Sequence, residues 1–101
     1  MISMTTDKDP LVVVEHQSFY ASLVPESNLT TAIIVEDLPS HCFFNAGENV
    51  AAWEALRSWV STGAQPTASD IQQACEQLGM GPCRIDPSFV VGDLDDRIPP
   101  R

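Results

Sequence analysis

Between Asn49 and Ser61 the apolar residues Ala52, Trp53, Leu56, Trp59 and Val60 return at i, i+1, i+4, i+7 and i+8. That spacing marks one face of an α-helix. Glu48, Glu54, Arg57, Ser58 and Ser61 take the other side. Glu48 complements the positive end of the helix dipole, and Glu54 reaches Arg57 or Ser58 within a turn. Thr62-Gly63 supplies the stop, because glycine takes the left-handed C-terminal position without strain. Burying two tryptophans is worth on the order of several kcal/mol at about 25 cal/mol per Å². The expectation is that this face lies on a sheet. Interfaces also favour tryptophan, so an exposed partner site is the second reading of the same face.

A second helix starts at Thr67, with Asp70 completing a capping box in which Asp replaces Glu or Gln. Ile71, Ala74, Cys75 and Leu78 then follow at helical spacing, and Gly79 ends the run. The segment after it, Gly81-Pro82-Cys83-Arg84-Ile85-Asp86-Pro87, is too rich in proline to make the recognition helix of a helix-turn-helix. Strand patterns precede the helices. Phe19, Ala21 and Leu23 alternate against Tyr20, Ser22 and Val24 within an apolar stretch from Leu11 to Val24. Pro25 to Asn28 reads as a turn. Thr30 to Val35 is β-branched and apolar on both faces, as a central strand is. Pro39 ends that segment, Cys42 to Asn45 reads as a short strand, and Ser88 to Val91 as a last one.

These elements predict an α+β fold. In it a small antiparallel sheet of three to four strands packs against one main helix plus a second short helix. Residues 1–10 read as a disordered tail, 11–92 as a single domain and 93–101 as an acidic, Pro-containing tail. A chain of 101 residues carries one domain. With 44% hydrophobic residues and a mean hydropathy of -0.03 it is too apolar for a disordered chain. Its longest apolar runs, Leu11–Val14 and Ala32–Val35 among them, are far shorter than the ~20 residues of a spanning helix. Met1 to Pro10 is polar and shows no signal-peptide pattern, which points to a cytoplasmic protein.

Charge narrows the function further. Fourteen acidic residues against five Lys and Arg leave a net charge of -9 and a pI near 4.2. Between Lys8 and Arg57 there is no basic residue, while Glu15, Glu26, Glu36, Asp37, Glu48 and Glu54 fall there. Nucleic-acid binding draws its affinity from Lys and Arg on phosphates, so direct contact with DNA or RNA is excluded as a main role. An acidic surface suits a basic partner, although acidity also serves solubility.

No constellation for catalysis is visible. His16 and His41 are the only histidines. His41 and Cys42 are neighbours, and neighbours in a strand point to opposite faces, against a nucleophile–base pair. Cys42, Cys75 and Cys83 show no zinc or dithiol spacing. Reduced thiols are the default without a signal peptide, and a bond between Cys75 and Cys83 across the glycine-rich turn stays open. Asp93, Asp95 and Asp96 lack the glycine and distant Glu of a calcium loop. The five glycines fit no phosphate-loop spacing. The expectation is a protein that is not an enzyme, with no cofactor and no metal site.

From Phe19 to Val60 the order of Asp37-Leu38-Pro39, Cys42, Gly47-Glu48 and Glu54-Ala55 resembles the N-terminal domain of HicB-type antitoxins. Ser40-His41 replaces that family's usual single glycine, Asn49 its threonine, and the segments from Thr67 onward have no counterpart. The resemblance implies a β-β-β-α-β core and a protein that neutralises a small basic toxin ribonuclease.

Together these readings give a non-catalytic acidic protein that neutralises a basic protein partner, a toxin or a nucleic-acid-processing enzyme, without touching nucleic acid or membrane. The contacts expected are Glu26, Glu36, Asp37 and Glu48, with Asp93, Asp95 and Asp96 auxiliary. One alternative is a phage- or mobile-element-borne inhibitor that mimics nucleic-acid phosphates. Others are a small ligand-binding or enzymatic domain using Cys42 or His41, and a homo-oligomer paired through an exposed sheet edge.

Overall fold

The computed structural model describes residues 1–41 and 43–93; Cys42 and residues 94–101 lie outside the described residues. In chain order the elements are β1 (Ile2–Thr6), α1 (His16–Leu23), a 3-10 turn (Glu26–Asn28), β2 (Thr30–Ile34), α2 (Ala46–Thr62) and α3 (Ala68–Leu78). β1 and β2 are parallel, with Ile2 opposite Thr30, Met4 opposite Ala32 and Thr6 opposite Ile34. Parallel neighbours cannot be joined by a tight turn, so the chain returns to the start of the sheet through a crossover that contains α1.

β2 is the buried centre. Thr30, Ala32, Ile33 and Ile34 are all buried. On its far edge Val35 N donates to Arg84 O and Asp86 N to Ile33 O, both at 2.9 Å, around an antiparallel bridge between Ile34 and Ile85. The core is small: Ala32, Ile34, Ala51, Ile71, Cys75 and Ile85, with Ile2, Met4, Phe44 and Ala55 packed against it. α3 lies on β2, and α2 packs along α3.

Both long helices carry the start and stop chemistry that their sequences provide. At α2, Asn45 Oδ1 accepts from Glu48 N at 2.9 Å and Glu48 Oε1 accepts from Asn45 N at 3.0 Å. At α3, Thr67 and Asp70 form the same reciprocal pair, at 3.1 and 2.9 Å. Each box satisfies two otherwise orphaned backbone donors. Gly63 and Gly79 close the helices at φ of 74° and 63°, a conformation that strains any residue with a Cβ. A cystine joins Cys75 on α3 to Cys83, two residues before the Ile85 bridge. Gln72 reinforces that tie, donating to Cys83 O at 2.8 Å and accepting from Ile85 N at 3.2 Å.

The sheet departs from the expected one. An antiparallel sheet of three to four strands is not observed; the described residues hold one two-stranded parallel sheet and three α-helices. The stretch Phe19–Val24, whose alternation predicts a strand, lies almost wholly in α1, because a parallel crossover must reverse direction and tertiary context overrides a short period-two pattern. Residues 43–45 and Ser88–Val91 are not strands, and Ile2–Thr6, inside the stretch read as a tail, supplies β1. The β-β-β-α-β order implied by the resemblance to HicB-type domains is therefore not the order of this fold.

Candidate functional site

α2 buries the face opposite to the one its periodicity nominates. Gly47, Glu48 and Ala51 are its buried residues, and Ala55 packs on the core beside them. Small side chains let the helices approach closely: a Cβ on Gly47 would sit 3.3 Å from Met80 Cβ and 3.6 Å from Cys75 Sγ. Of the nominated face, Trp53 and Val60 point outward, while Ala52, Leu56 and Trp59 are half-buried. Trp53 is 61% exposed and Val60 81%. Trp53, Leu56, Arg57 and Val60 line a shallow apolar cleft of about 300 Å³ along the helix.

A second groove, of about 380 Å³, lies between α2 and the start of α3; Glu54, Ala55 and Ser58 line it on α2, and Glu54 and Asp70 are its carboxylates. Glu54 also pairs with Arg57 at 3.1 Å, and both side chains are more than half exposed. An exposed pair of this kind contributes little to stability, which leaves Glu54 available to another cation. The outer side of α2 thus offers an apolar ridge with Glu54 beside it, through the pair with Arg57.

The acidic residues nominated from the sequence are dispersed. Glu26 is exposed in the 3-10 turn before β2, at the opposite end of that strand from Glu36 and Asp37. Glu36 is buried: its carboxylate accepts from Ser40 N at 3.0 Å and from Ser40 Oγ, closing the loop after β2. Glu48 is fully buried. Besides its capping bonds it accepts from Arg84 N at 2.9 Å and Arg84 Nη2 at 2.8 Å. Burial works against its ionisation, but the Arg84 guanidinium and the backbone donors outweigh that and hold the carboxyl below its ordinary range. The same contact raises Arg84. Glu36 and Glu48 are therefore internal fasteners, whereas Asp37 and Asp93 are exposed. Asp95 and Asp96 lie outside the described residues.

One polar pair stands at the loops that leave the carboxyl ends of β1 and β2, where open parallel sheets place their ligands. Asp9 Oδ2 lies 2.7 Å from His41 Nδ1; the Asp9 side chain is fully buried and that of His41 is 45% exposed. Burial opposes ionisation of Asp9, yet hydrogen bonds from Val12 N, His41 and Leu11 N prevail and lower its pKa. A carboxylate behind an imidazole fixes ring orientation. No hydroxyl or thiol among the described residues is hydrogen-bonded to His41, and the adjacent Ser40 Oγ is committed to Glu36. Of Cys42 nothing is described. Among the described residues no group of His, Cys, Asp and Glu is placed to hold a metal ion, and no helix is long and apolar enough to cross a membrane.

Sequence reasoning nominated neither Glu54 nor Asp70 as a contact, and it turned the tryptophan face inward. The stripe Gly47, Ala51 and Ala55 was the available signal, since small residues at i, i+4 and i+8 mark a face that can approach a neighbouring helix closely. Comparison with protein-family models, with curated proteins and with solved structures found no match to this chain.

Proposed function

We propose that this chain is a binding protein for a basic protein partner, and that it engages that partner through the outer side of α2. The observation that carries the reading is the exposure of Trp53 and Val60 on a helix whose buried face is made of glycine, alanine and one paired glutamate. A helix that needed only to fold would bury its aromatic face. Contiguous exposed apolar surface rimmed by polar groups marks an interaction site, and tryptophan is the residue type most enriched at interface hot spots.

The charge of the partner follows from the same surface. Glu54 pairs with Arg57, which lines the apolar stripe, and the chain as a whole carries -9. A second acidic chain approaching here would meet like charge, whereas a basic one is steered in. A helix with leucines on one side and a flanking lysine fits both features: the leucines on Trp53, Leu56 and Val60, the lysine on Glu54. Covering a functional surface of a basic protein is the neutralising action that such a contact supports.

The test is a titration of the full chain with a synthetic amphipathic Leu/Lys helical peptide, following tryptophan fluorescence. The expected result is a blue shift that saturates, weakens with salt and is absent for the matching Leu/Glu peptide. The variant Trp53→Ser/Val60→Ser is expected to bind at least tenfold more weakly with an unchanged circular dichroism spectrum. Binding of the Leu/Lys peptide that is indifferent to Trp53→Ser/Val60→Ser would overturn the reading, as would equal affinity for both peptides.

A further inference from the structure

Among the described residues β1 has a partner strand on one side only. Thr30 N donates to Met1 O and Asp7 N to Ile34 O, both at 2.9 Å. With the register of the pair, these bonds turn the odd-numbered residues toward β2. The N–H and C=O of Ile2 and Met4 therefore point to the opposite edge, where no strand lies in the described residues. Thr6, which points the same way, is fully buried, so the open part of the edge is Ile2 to Met4. Proteins blunt such edges with lysine, proline or a bulge; Ile2-Ser3-Met4-Thr5-Thr6 has none of these.

α1 stands beside this edge and is itself without buried residues. Phe19 is 55% exposed, Tyr20 41% and Leu23 67%. Ser3 Oγ holds the helix to the strand through Gln17 Oε1 at 2.6 Å. An open groove of about 460 Å³ runs between Met1 to Ser3 on the strand side and His16, Phe19 and Tyr20 on the helix. Local charge sets this region apart from the rest of the molecule. Of the fourteen acidic residues, none lies in β1 or α1. Glu15 is the N-cap residue of α1, and Asp93 follows Gly92, whose carbonyl accepts from Ser18 Oγ on α1 at 2.7 Å. With no carboxylate in β1 or α1 themselves, these apolar, hydrogen-bond-ready elements can meet a copy of themselves.

We propose that the Ile2–Met4 edge and α1 form a twofold interface between two copies of this chain. The β1 strands run antiparallel. Ile2 of one copy faces Met4 of the other, each pair exchanging both N–H···O bonds, and Ser3 faces its own counterpart on the axis. An edge bonded to its own copy is self-complementary, as a twofold interface requires. The two α1 helices then lie on the same side of the joined sheet, and Phe19, Tyr20 and Leu23 gain the cover that they lack within one chain. This interface is separate from the α2 surface and stands without it.

Sedimentation velocity of the full chain over a wide concentration range is the test, with amide exchange read in parallel. A species of twice 11.0 kDa is expected, with the amides of Ile2 and Met4 gaining protection as it forms. Phe19→Asp/Leu23→Asp is expected to lose the dimer completely, while Trp53→Ser keeps it. A monomer at every concentration overturns the proposal, including one that takes up an extended peptide at the edge. So does a dimer that leaves the Ile2 and Met4 amides unprotected, or one lost in Trp53→Ser. The exchange measurement uses the unmodified chain and decides the matter even where the double variant does not fold.

Discussion

The two sides of α2 differ in a way that composition alone would invert. The inner side carries Gly47, Glu48, Ala51 and Ala55; the outer carries Trp53, Leu56 and Val60. By transfer free energy the outer side belongs in the core. What the inner side offers instead is closeness and an anchor. Small residues let α2 settle against α3 near the cystine, and the one buried charge is fully paired. Glu48 accepts from Asn45 N, Arg84 N and the Arg84 guanidinium, and so joins the start of α2 to the segment that bridges β2. The comparison teaches that a helix is placed by which face can fit and be satisfied. A face left over after that choice is free for a partner.

The sharpest break of this comparison is Glu48→Ala. It strands the partly buried Arg84 guanidinium and removes half of the α2 capping box. Loss of one member of a buried pair costs about 3–5 kcal/mol, so urea unfolding is expected to show a drop of that order. Acid probes the same contact reversibly. Glu48 titrates lower in the folded chain than in the unfolded one, so its stabilisation is complete above its ordinary pKa of 4.5. It is lost as pH falls through that value toward the folded pKa. Thermal midpoints are expected to be level from neutral pH to about 5 and to fall below it. A Glu48→Gln variant should show a shallower fall.

Ala51→Leu asks whether the inner side is as tight as its composition implies. Overpacking a site that is fully buried is expected to cost about 1–3 kcal/mol by chemical denaturation. A neutral result would show that α2 has room to rotate. The smallest expected effect is on the outer side. Trp53→Ser/Val60→Ser should change folding stability by no more than about 0.5 kcal/mol, as exposed substitutions do, despite removing far more apolar surface than Ala51→Leu adds. A loss of more than about 2 kcal/mol would mean that the outer side is already packed within the chain.

How much was legible before folding depends on the range over which each signal acts. α2 and α3 were legible because their determinants are local: the 3.6-residue period, Thr67 with Asp70, and Gly63 and Gly79 at positive φ. Even the missed start of α2 was written locally, in Asn45 and Glu48. The sheet was not legible. β1 is a polar five-residue strand that exists because β2 lies beside it, and a six-residue alternation at Phe19–Val24 yielded to the crossover that parallel pairing demands. The contact residues fared the same way. Glu36 and Glu48 look in the sequence like Asp37, and only their neighbours, Ser40 and Arg84, distinguish a buried fastener from an exposed charge.

By itself, then, the sequence determined the two capped helices, the acid excess and the absence of any basic tract for nucleic acid. These are properties of residue type and of spacing within a few turns. Tertiary structure decided which face of α2 is covered, which carboxylates are consumed inside, and that among the described residues β1 keeps one edge open. Each of those rests on contacts between residues tens of positions apart, such as Glu48 with Arg84 or Ile34 with Ile85. A window along the chain sees only one partner of each pair.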